Sequence, residues 1–150
     1  MPQSLAKNLI HLIYSTKGRR PVLQDGIREE LHNYSCGILR GQESPALVVN
    51  SVLDHIHLLF VLSKNKALAD VVRELKKGAS RWIKSTGTQF SEFEWQNGYG
   101  AFSVSQSGVD EVKRYILNQA EHHRKVSFQD ELRTFLRRYE VEFDERYVWD

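Results

Sequence analysis

A chain of 150 residues has the size of one domain, and a hydrophobic content of 41% is enough for a buried core. No apolar run approaches the ~20 residues that cross a bilayer, and the N-terminal segment lacks the cleavage site of a signal peptide. The single cysteine, Cys36, excludes an internal disulfide and a cysteine-rich zinc site. We therefore expect one cytoplasmic domain over residues 1–150. A net charge of +2 is too small to indicate a nucleic-acid partner by itself.

The spacing of apolar residues predicts four strands and four helices. In chain order they are a strand at 8–15, a helix at 25–41, strands at 46–53 and 55–62, a helix at 67–85, a strand at 98–105, and helices at about 108–124 and 127–139. This β-α-β-β-α-β order, followed by helices, indicates an α+β fold with a ferredoxin-like antiparallel sheet. Two helices cover one face of such a sheet, and the other face is available for a site or for the C-terminal helices.

Two histidines open the third predicted strand. Because alternate side chains of a strand share a face, His55 and His57 point one way, while Ile56, Leu58 and Phe60 form a core face on the other side. Two neighbouring neutral imidazoles are a natural pair of metal ligands. Two partly buried structural histidines would give the same pattern, so the pair alone specifies no reaction.

A tyrosine and a glutamine lie one turn apart on the helix predicted at 108–124. Tyr115 and Gln119 share a face with Val112 and Ile116, and this face would also suit a core aromatic. Gln119 offers a carbonyl oxygen as a third metal ligand, and Tyr115 offers a phenol beside it. A free phenol, with a pKa near ~10, is a poor nucleophile at neutral pH. A divalent cation on a phosphate can act as a Lewis acid and position that phosphate for in-line attack.

Several segments resemble one known family, in order along the chain. The segment Asp54–Leu59 (DHIHLL) resembles the HUH motif, in which a hydrophobic residue separates two histidines. The segment Tyr115–Gln119 (YILNQ) resembles a nucleophile helix, and Trp95–Val104 (WQNGYGAFSV) is similar to the strand that leads into it. Stretches at 15–23 and 144–150 are also similar. Over essentially its whole length, the chain resembles the one-tyrosine HUH transposases of the insertion-sequence 200/605 group.

The resemblance implies a set of metal ligands, a nucleophile and a DNA substrate. A divalent metal, Mg²⁺ or Mn²⁺, would be held by His55, His57 and Gln119, and Tyr115 would attack a DNA phosphate to form a 5′-phosphotyrosine bond. A later 3′-hydroxyl would attack that bond and rejoin the strands, with no nucleotide cofactor. The substrate would be single-stranded DNA whose element ends fold into hairpins. The protein would act as a homodimer, without a membrane partner, in the cytoplasm of a bacterium or archaeon.

Two basic segments are candidates for DNA contact. They comprise Lys17, Arg19 and Arg20 in the loop after the first strand, and Arg73, Lys76, Lys77, Arg81 and Lys84 on the helix predicted at 67–85. Clustered cations bind phosphates in a salt-dependent way, although a solvated helix face has much the same pattern. Tyr99 and Trp95 could stack on bases or lie in the core. The remaining histidines (His11, His32, His122 and His123) are interpreted as surface or packing residues.

Other functions are compatible with parts of this pattern. A replication initiator or a relaxase shares the HUH motif, but the short chain has no helicase segment. A non-catalytic module that binds single-stranded nucleic acid would not need the full set of His55, His57, Tyr115 and Gln119. A domesticated descendant that processes chromosomal repeats cannot be separated from a transposase by sequence.

Overall fold

The computed structural model describes residues 2–150 and has a four-stranded antiparallel sheet as its framework. The strands are β1 (Asn8–Ser15), β2 (Ala46–Ser51), β3 (His55–Leu62) and β4 (Gly100–Val104), and their spatial order is β2-β3-β1-β4. The helices are α1 (Asp25–Gly41), α2 (Leu68–Ser85), α3 (Val109–Leu117), α4 (Gln119–His122) and α5 (Phe128–Arg138). The predicted α+β fold with a ferredoxin-like sheet is confirmed.

One face of the sheet is covered by α1 and α2. Ile56, Leu58 and Phe60 of β3 point into this layer, where they belong to one buried cluster with Leu31 of α1 and Leu75 of α2. The strong apolar stripe of α2, which recurs at helical spacing, explains why this helix docks here. This layer is the larger part of the hydrophobic core.

The opposite face of the sheet is covered by the C-terminal helices. Ile116 of α3 packs with Leu59 of β3, while Leu132 of α5 packs with Ile13 and Phe102 of the sheet. These two apolar clusters are separate from each other. Because His55 and His57 alternate with the core-facing residues of β3, they lie on this second face.

The helix predicted at 108–124 is interrupted after Leu117. The side chain of Asn50, on β2, donates hydrogen bonds to the carbonyl oxygens of Ile116 at 2.8 Å and of Leu117 at 3.4 Å. These carbonyls would otherwise accept bonds from the next helical turn, so the helix ends and restarts as α4.

Smaller differences concern the ends of elements. The second strand is shorter than predicted, because Val52 already donates its backbone N–H to the carbonyl of His55 in the turn between β2 and β3, at 3.1 Å. The fourth strand is also shorter than predicted, and Gly98 donates its backbone N–H to the carbonyl of Asp150, at 2.9 Å, rather than to a neighbouring strand. The hydroxyl of Ser105 accepts the backbone N–H of Gly108 at 3.2 Å and caps the short 3-10 turn before α3. None of the helices within residues 2–150 is long and apolar enough to cross a membrane.

Candidate active site

The histidine pair is buried on the second face of the sheet. His55 is 1% exposed and His57 is 0% exposed, although both rings are polar. The Nδ1 atom of His55 lies 2.7 Å from the Asp54 carboxylate, and the Nδ1 atom of His57 lies 2.8 Å from Nε2 of His11. Each ring is therefore oriented by a second polar group, as is typical of metal-binding histidines.

Tyr115 reaches the histidine pair from α3. Its ring centroid lies 5.8 Å from that of His57 and 6.1 Å from that of His11. The burial of Val109 and Ile116 against the sheet fixes α3, so the phenol is directed toward β3 rather than toward solvent. The structure of one chain thus brings Tyr115 next to the histidine pair of the same chain.

A buried glutamate of α5 lies between the histidines and the tyrosine. Glu131 is 2% exposed, and its Oε1 atom lies 2.9 Å from Nε2 of His57 and 3.5 Å from Nε2 of His55. The Tyr115 hydroxyl donates a hydrogen bond to the other oxygen, Oε2. Nε2 of His123 also approaches Oε2, at 3.1 Å. One carboxylate therefore contacts both groups that sequence analysis predicted for catalysis.

The electrostatics of the site follow from burial and from this carboxylate. Burial lowers the pKa of His57 to about 4, and it lowers the pKa of His11 to about 3, so both rings are neutral near pH 7. Burial alone would raise the pKa of Glu131, but contacts with His123, His55 and His57 outweigh it and hold the pKa far below its usual range. Burial and the Glu131 charge both raise the pKa of Tyr115. The phenolate form of Tyr115 is therefore strongly disfavoured without an added positive charge.

Four of these side chains can hold a metal ion together. One ligand atom from each of His55, His57, His123 and Glu131 lies within 4.8 Å of the others. Nitrogen and carboxylate oxygen donors suit divalent transition metals. The donor set and its burial fit the divalent metal that the HUH resemblance implies.

Gln119 lies at the start of α4 and is fully buried. Its side-chain nitrogen donates to the backbone carbonyl of Tyr115 at 3.2 Å, and its Oε1 atom has no hydrogen-bond partner within residues 2–150. An unpartnered buried amide oxygen is costly, and a metal ion would satisfy it. The break after Leu117 does not separate Gln119 from Tyr115.

Four residues of this cluster have no assigned role in the sequence interpretation. The structure places three histidines that the sequence analysis interpreted as surface or packing residues, and one acid that it did not single out, around the histidine pair and Tyr115. The histidines are His11, His122 and His123, and the acid is Glu131. Glu131 carries the clearest sequence signal, because it lies on the apolar face of α5 with Phe128 and Leu132. A carboxylate in an apolar stripe needs a partner. His32 is elsewhere, with Nε2 at 2.7 Å from the Ser51 hydroxyl.

The candidate DNA-binding cations of α2 lie in the layer opposite the histidines. Lys76 is engaged within the protein: its ammonium donates to the carbonyls of Gln96 at 2.8 Å and Gly98 at 2.6 Å, and burial lowers its pKa to about 8. Arg73 pairs with Asp70 at 3.0 Å. The other α2 cations are exposed: Lys77, Arg81 and Lys84. The structure does not bring this group together with Tyr115.

The basic loop follows β1, the strand that carries His11. Lys17 pairs with Glu94 at 3.2 Å, and the Arg19 guanidinium lies 6.0 Å from the ring centroid of Trp149. Arg20 is exposed. Of the two aromatic candidates for base stacking, Trp95 is 6% exposed and belongs to the core, while Tyr99 is 39% exposed. Tyr99 is thus the accessible one.

Comparison with known proteins assigns the chain to a family. Residues 4–119 match the family model described as "Transposase IS200 like". The match defines the class as a DNA-processing enzyme. The buried histidine–glutamate group of the structure fits a metal site in such an enzyme. More particularly, the chain belongs to the IS200-like transposase family. The matched residues end at Gln119, so His123 and Glu131 lie beyond them.

Individual relatives agree with this assignment. The chain is 25% identical over 114 residues to the ISDra2 transposase TnpA of Deinococcus radiodurans, and the alignment covers 73% of this chain and 81% of that protein. A crystal structure of a provisionally assigned transposase from Deinococcus radiodurans R1 has a TM-score of 0.62 at 24% identity, covering 79% of this chain and 98% of that one. A REP-associated tyrosine transposase bound to a REP hairpin has a TM-score of 0.62 at 15% identity, covering 84% and 74% of the two chains. The two structures support the fold.

Proposed function

We propose that this transposase cleaves and rejoins single-stranded DNA at hairpin-marked ends, with Tyr115 as the nucleophile. One observation carries the proposal: the Tyr115 hydroxyl and the histidine pair meet at the same buried carboxylate, Glu131. A tyrosine that served only to fill the core would not require its hydroxyl beside side chains that can bind a metal ion. Membership of the IS200-like family supports DNA as the substrate.

The reaction is a transesterification. The phenol oxygen of Tyr115 forms a bond to phosphorus while the bond from phosphorus to the 3′-oxygen breaks, which gives a 5′-phosphotyrosine and a free 3′-hydroxyl. The Tyr115 hydroxyl, oriented by its hydrogen bond to Glu131, gives up its proton as the new bond forms, and the leaving 3′-oxygen takes up a proton, so no net proton is gained or lost. The covalent bond retains the energy of the broken ester, so rejoining by a 3′-hydroxyl needs no nucleotide cofactor.

His55, His57 and Gln119 would hold the divalent metal. When bound, the ion supplies Lewis-acid activation of the phosphate and a positive charge near Tyr115. The unpartnered Oε1 atom of buried Gln119 and the orienting contacts of His55 and His57 support this ligand set. Mg²⁺ and Mn²⁺ are the candidate ions for this function.

The preference for hairpins and the dimeric state rest on the resemblance. A fold neighbour is bound to a REP hairpin, which supports a hairpin ligand and also favours a second candidate function, processing of chromosomal repeats by a domesticated transposase. Both functions share the same cleavage chemistry. They differ in the DNA that carries the hairpin.

Cleavage of oligonucleotides from the DNA that flanks the gene tests this proposal. We expect Mn²⁺- or Mg²⁺-dependent cutting of single strands that carry a hairpin, loss of cutting in excess chelator, and loss in the variant His57→Ala. The variant His32→Ala, which changes a histidine outside the cluster, should cut normally. Undiminished cutting in chelator, or equal cutting of a plain duplex, would contradict the proposal. Hairpins from flanking element ends and from dispersed repeats, compared side by side, separate the two candidate functions.

A further inference from the structure

Two side chains from the segment beyond the family match enter the histidine cluster. We propose that His123 and Glu131 are metal ligands, and that they join His55 and His57 around one divalent transition-metal ion. This inference deepens the proposed function and rests on it for the use of the metal in DNA cleavage. The metal site itself can be tested without DNA.

The hydrogen-bonding of two rings argues for a cation between them. Nδ1 of His55 lies 2.7 Å from the Asp54 carboxylate, and Nδ1 of His123 lies 2.6 Å from the carbonyl oxygen of Val126. Both partners can only accept, so each neutral ring carries its hydrogen on Nδ1 and presents a lone pair at Nε2. These two Nε2 atoms are nevertheless 2.9 Å apart. Two lone pairs at this distance repel each other unless a cation, either a proton or a metal ion, is shared between them.

The carboxylate of Glu131 faces the same point. Its oxygens lie 3.5 Å from Nε2 of His55 and 3.1 Å from Nε2 of His123, and the residue is almost fully buried. Within residues 2–150, the basic side chains that lie in salt-bridge range of Glu131 are all histidines, and none of them is a lysine or an arginine. A buried carboxylate is costly unless a positive charge compensates it. A divalent ion would supply that charge.

His57 can complete the ligand set by a simple change of tautomer. Its Nε2 atom lies 2.9 Å from Glu131, and its Nδ1 atom lies 2.8 Å from His11. With the ring hydrogen on Nδ1, His57 donates to His11 and presents the lone pair of Nε2 to the cluster. Asp54, Val126 and His11 thus fix one ring each, in the manner of groups that orient metal-binding histidines.

The segment from the end of α4 into α5 positions both proposed ligands, His123 and Glu131. The Ser127 hydroxyl accepts the backbone N–H of Asp130 at 3.1 Å and so caps the start of α5. Phe128 and Leu132 then anchor this helix in the sheet. Glu131 lies between these two anchors on the same face, so its carboxylate is directed into the cluster. His123 is held by the carbonyl oxygen of Val126, which lies two residues before α5 begins at Phe128.

The donor set selects a class of ion. Three imidazole nitrogens and one carboxylate oxygen suit Mn²⁺, Co²⁺ or Zn²⁺, whereas Mg²⁺ prefers oxygen ligands. Mn²⁺ accepts up to six ligands, so four from these side chains leave room for Gln119 or a DNA phosphate. We therefore expect tighter binding of Mn²⁺ than of Mg²⁺.

Titration of Mn²⁺ into DNA-free protein, followed by the loss of the free-ion electron paramagnetic resonance signal, tests the assignment. We expect one site in the wild type, at least a tenfold loss of affinity in His123→Ala and in Glu131→Gln, and complete loss in His57→Ala. Asp130→Asn on the same helical turn and the remote His32→Ala should bind as the wild type does. Circular dichroism in excess chelator shows whether each variant is folded. If Glu131→Gln does not fold, His123→Ala, in the connection between α4 and α5, still tests the proposed ligand set.

Two results would overturn the inference, with different consequences. If His57→Ala loses Mn²⁺ while His123→Ala and Glu131→Gln retain full affinity, the ligands are the histidine pair with Gln119, and the proposed function stands. If the wild type binds none of Mn²⁺, Co²⁺, Zn²⁺ or Mg²⁺, the metal site of the proposed function fails as well.

Discussion

Glu131 makes more hydrogen-bonding and ionic contacts within the site than any residue that the sequence pattern indicated. The spacing of His55 and His57 within one strand predicts a shared face, and the spacing of Tyr115 and Gln119 predicts neighbours on one helix. Both patterns are local. Glu131 meets these side chains only because α5 docks on the second face of the sheet. Periodicity reveals the apolar stripe of α5 but not the surface that it covers.

The chemistry of Tyr115 depends on the charge of this neighbour. Burial and the Glu131 carboxylate both raise the pKa of the phenol, so the tyrosine is a weaker nucleophile than free phenol in this arrangement. A cation at the cluster would offset the Glu131 charge and lower that pKa. Under the proposed function, the site would therefore couple the reactivity of Tyr115 to the presence of the metal.

His11 should affect metal binding without touching the ion. Replacing it in His11→Phe keeps a ring beside Phe135, whose centroid lies 5.2 Å away, but removes the 2.8 Å contact with His57. Loss of a group that orients a ligand costs about 10–100-fold in metal affinity. Calorimetric titration with Mn²⁺ should show that loss in His11→Phe and no change in His32→Phe. Equal affinities would mean that His57 is oriented by its packing alone.

At the scale of elements, α5 is the part of the fold that closes the site. Sequence patterns predict this helix and the other main elements, with errors of a few residues at the strand ends. The break after Leu117 is not predictable from the helix itself, because its cause is the side chain of Asn50 on a strand far away in sequence. Such long-range hydrogen bonds override the local preference for a continuous helix.

Leu132 anchors α5 and therefore supports Glu131. It is 2% exposed and packs with Ile13, Phe102 and Phe128. Truncation in Leu132→Ala leaves a cavity and should lower the free energy of unfolding by about 3 kcal/mol. Urea denaturation measures this loss, and Thr134→Ala at an exposed position of the same helix should stay within about 0.5 kcal/mol of the wild type. A small effect in Leu132→Ala would show that α5 is only loosely docked.

At the scale of the whole molecule, the two helix layers separate two kinds of residues. The histidine–glutamate cluster lies under α3, α4 and α5, whereas most of the predicted DNA-binding cations lie on α2, across the sheet. A strand bound at Tyr115 would reach α2 only around the edge of the sheet or on a second subunit. The sequence could not separate these surfaces, because a basic stripe gives no information about which side of the sheet it faces.

The predicted homodimer can be tested by mixing two inactive variants of the protein. Ser105–Gly108, with a short 3-10 turn before α3, could let the tyrosine helix exchange between subunits. If it does, mixing inactive His57→Ala protein with inactive Tyr115→Phe protein should restore part of the cleavage activity, since some heterodimer sites contain no lesion. Light scattering establishes the oligomeric state in the same samples. A mixture that stays inactive despite proven subunit exchange would place Tyr115 in its own chain's site, as in the structure of one chain.

The position of the covalent bond to DNA shows most directly whether Tyr115 is the nucleophile. Protein incubated with a hairpin-bearing single strand and Mn²⁺ is digested with trypsin, and mass spectrometry identifies the peptide that carries the nucleotide. We expect the 5′-phosphate of the cleaved strand on the peptide that begins at Tyr115, directly after Arg114, and no adduct in Tyr115→Phe. An adduct on Tyr99, or continued cleavage by Tyr115→Phe, would contradict the account.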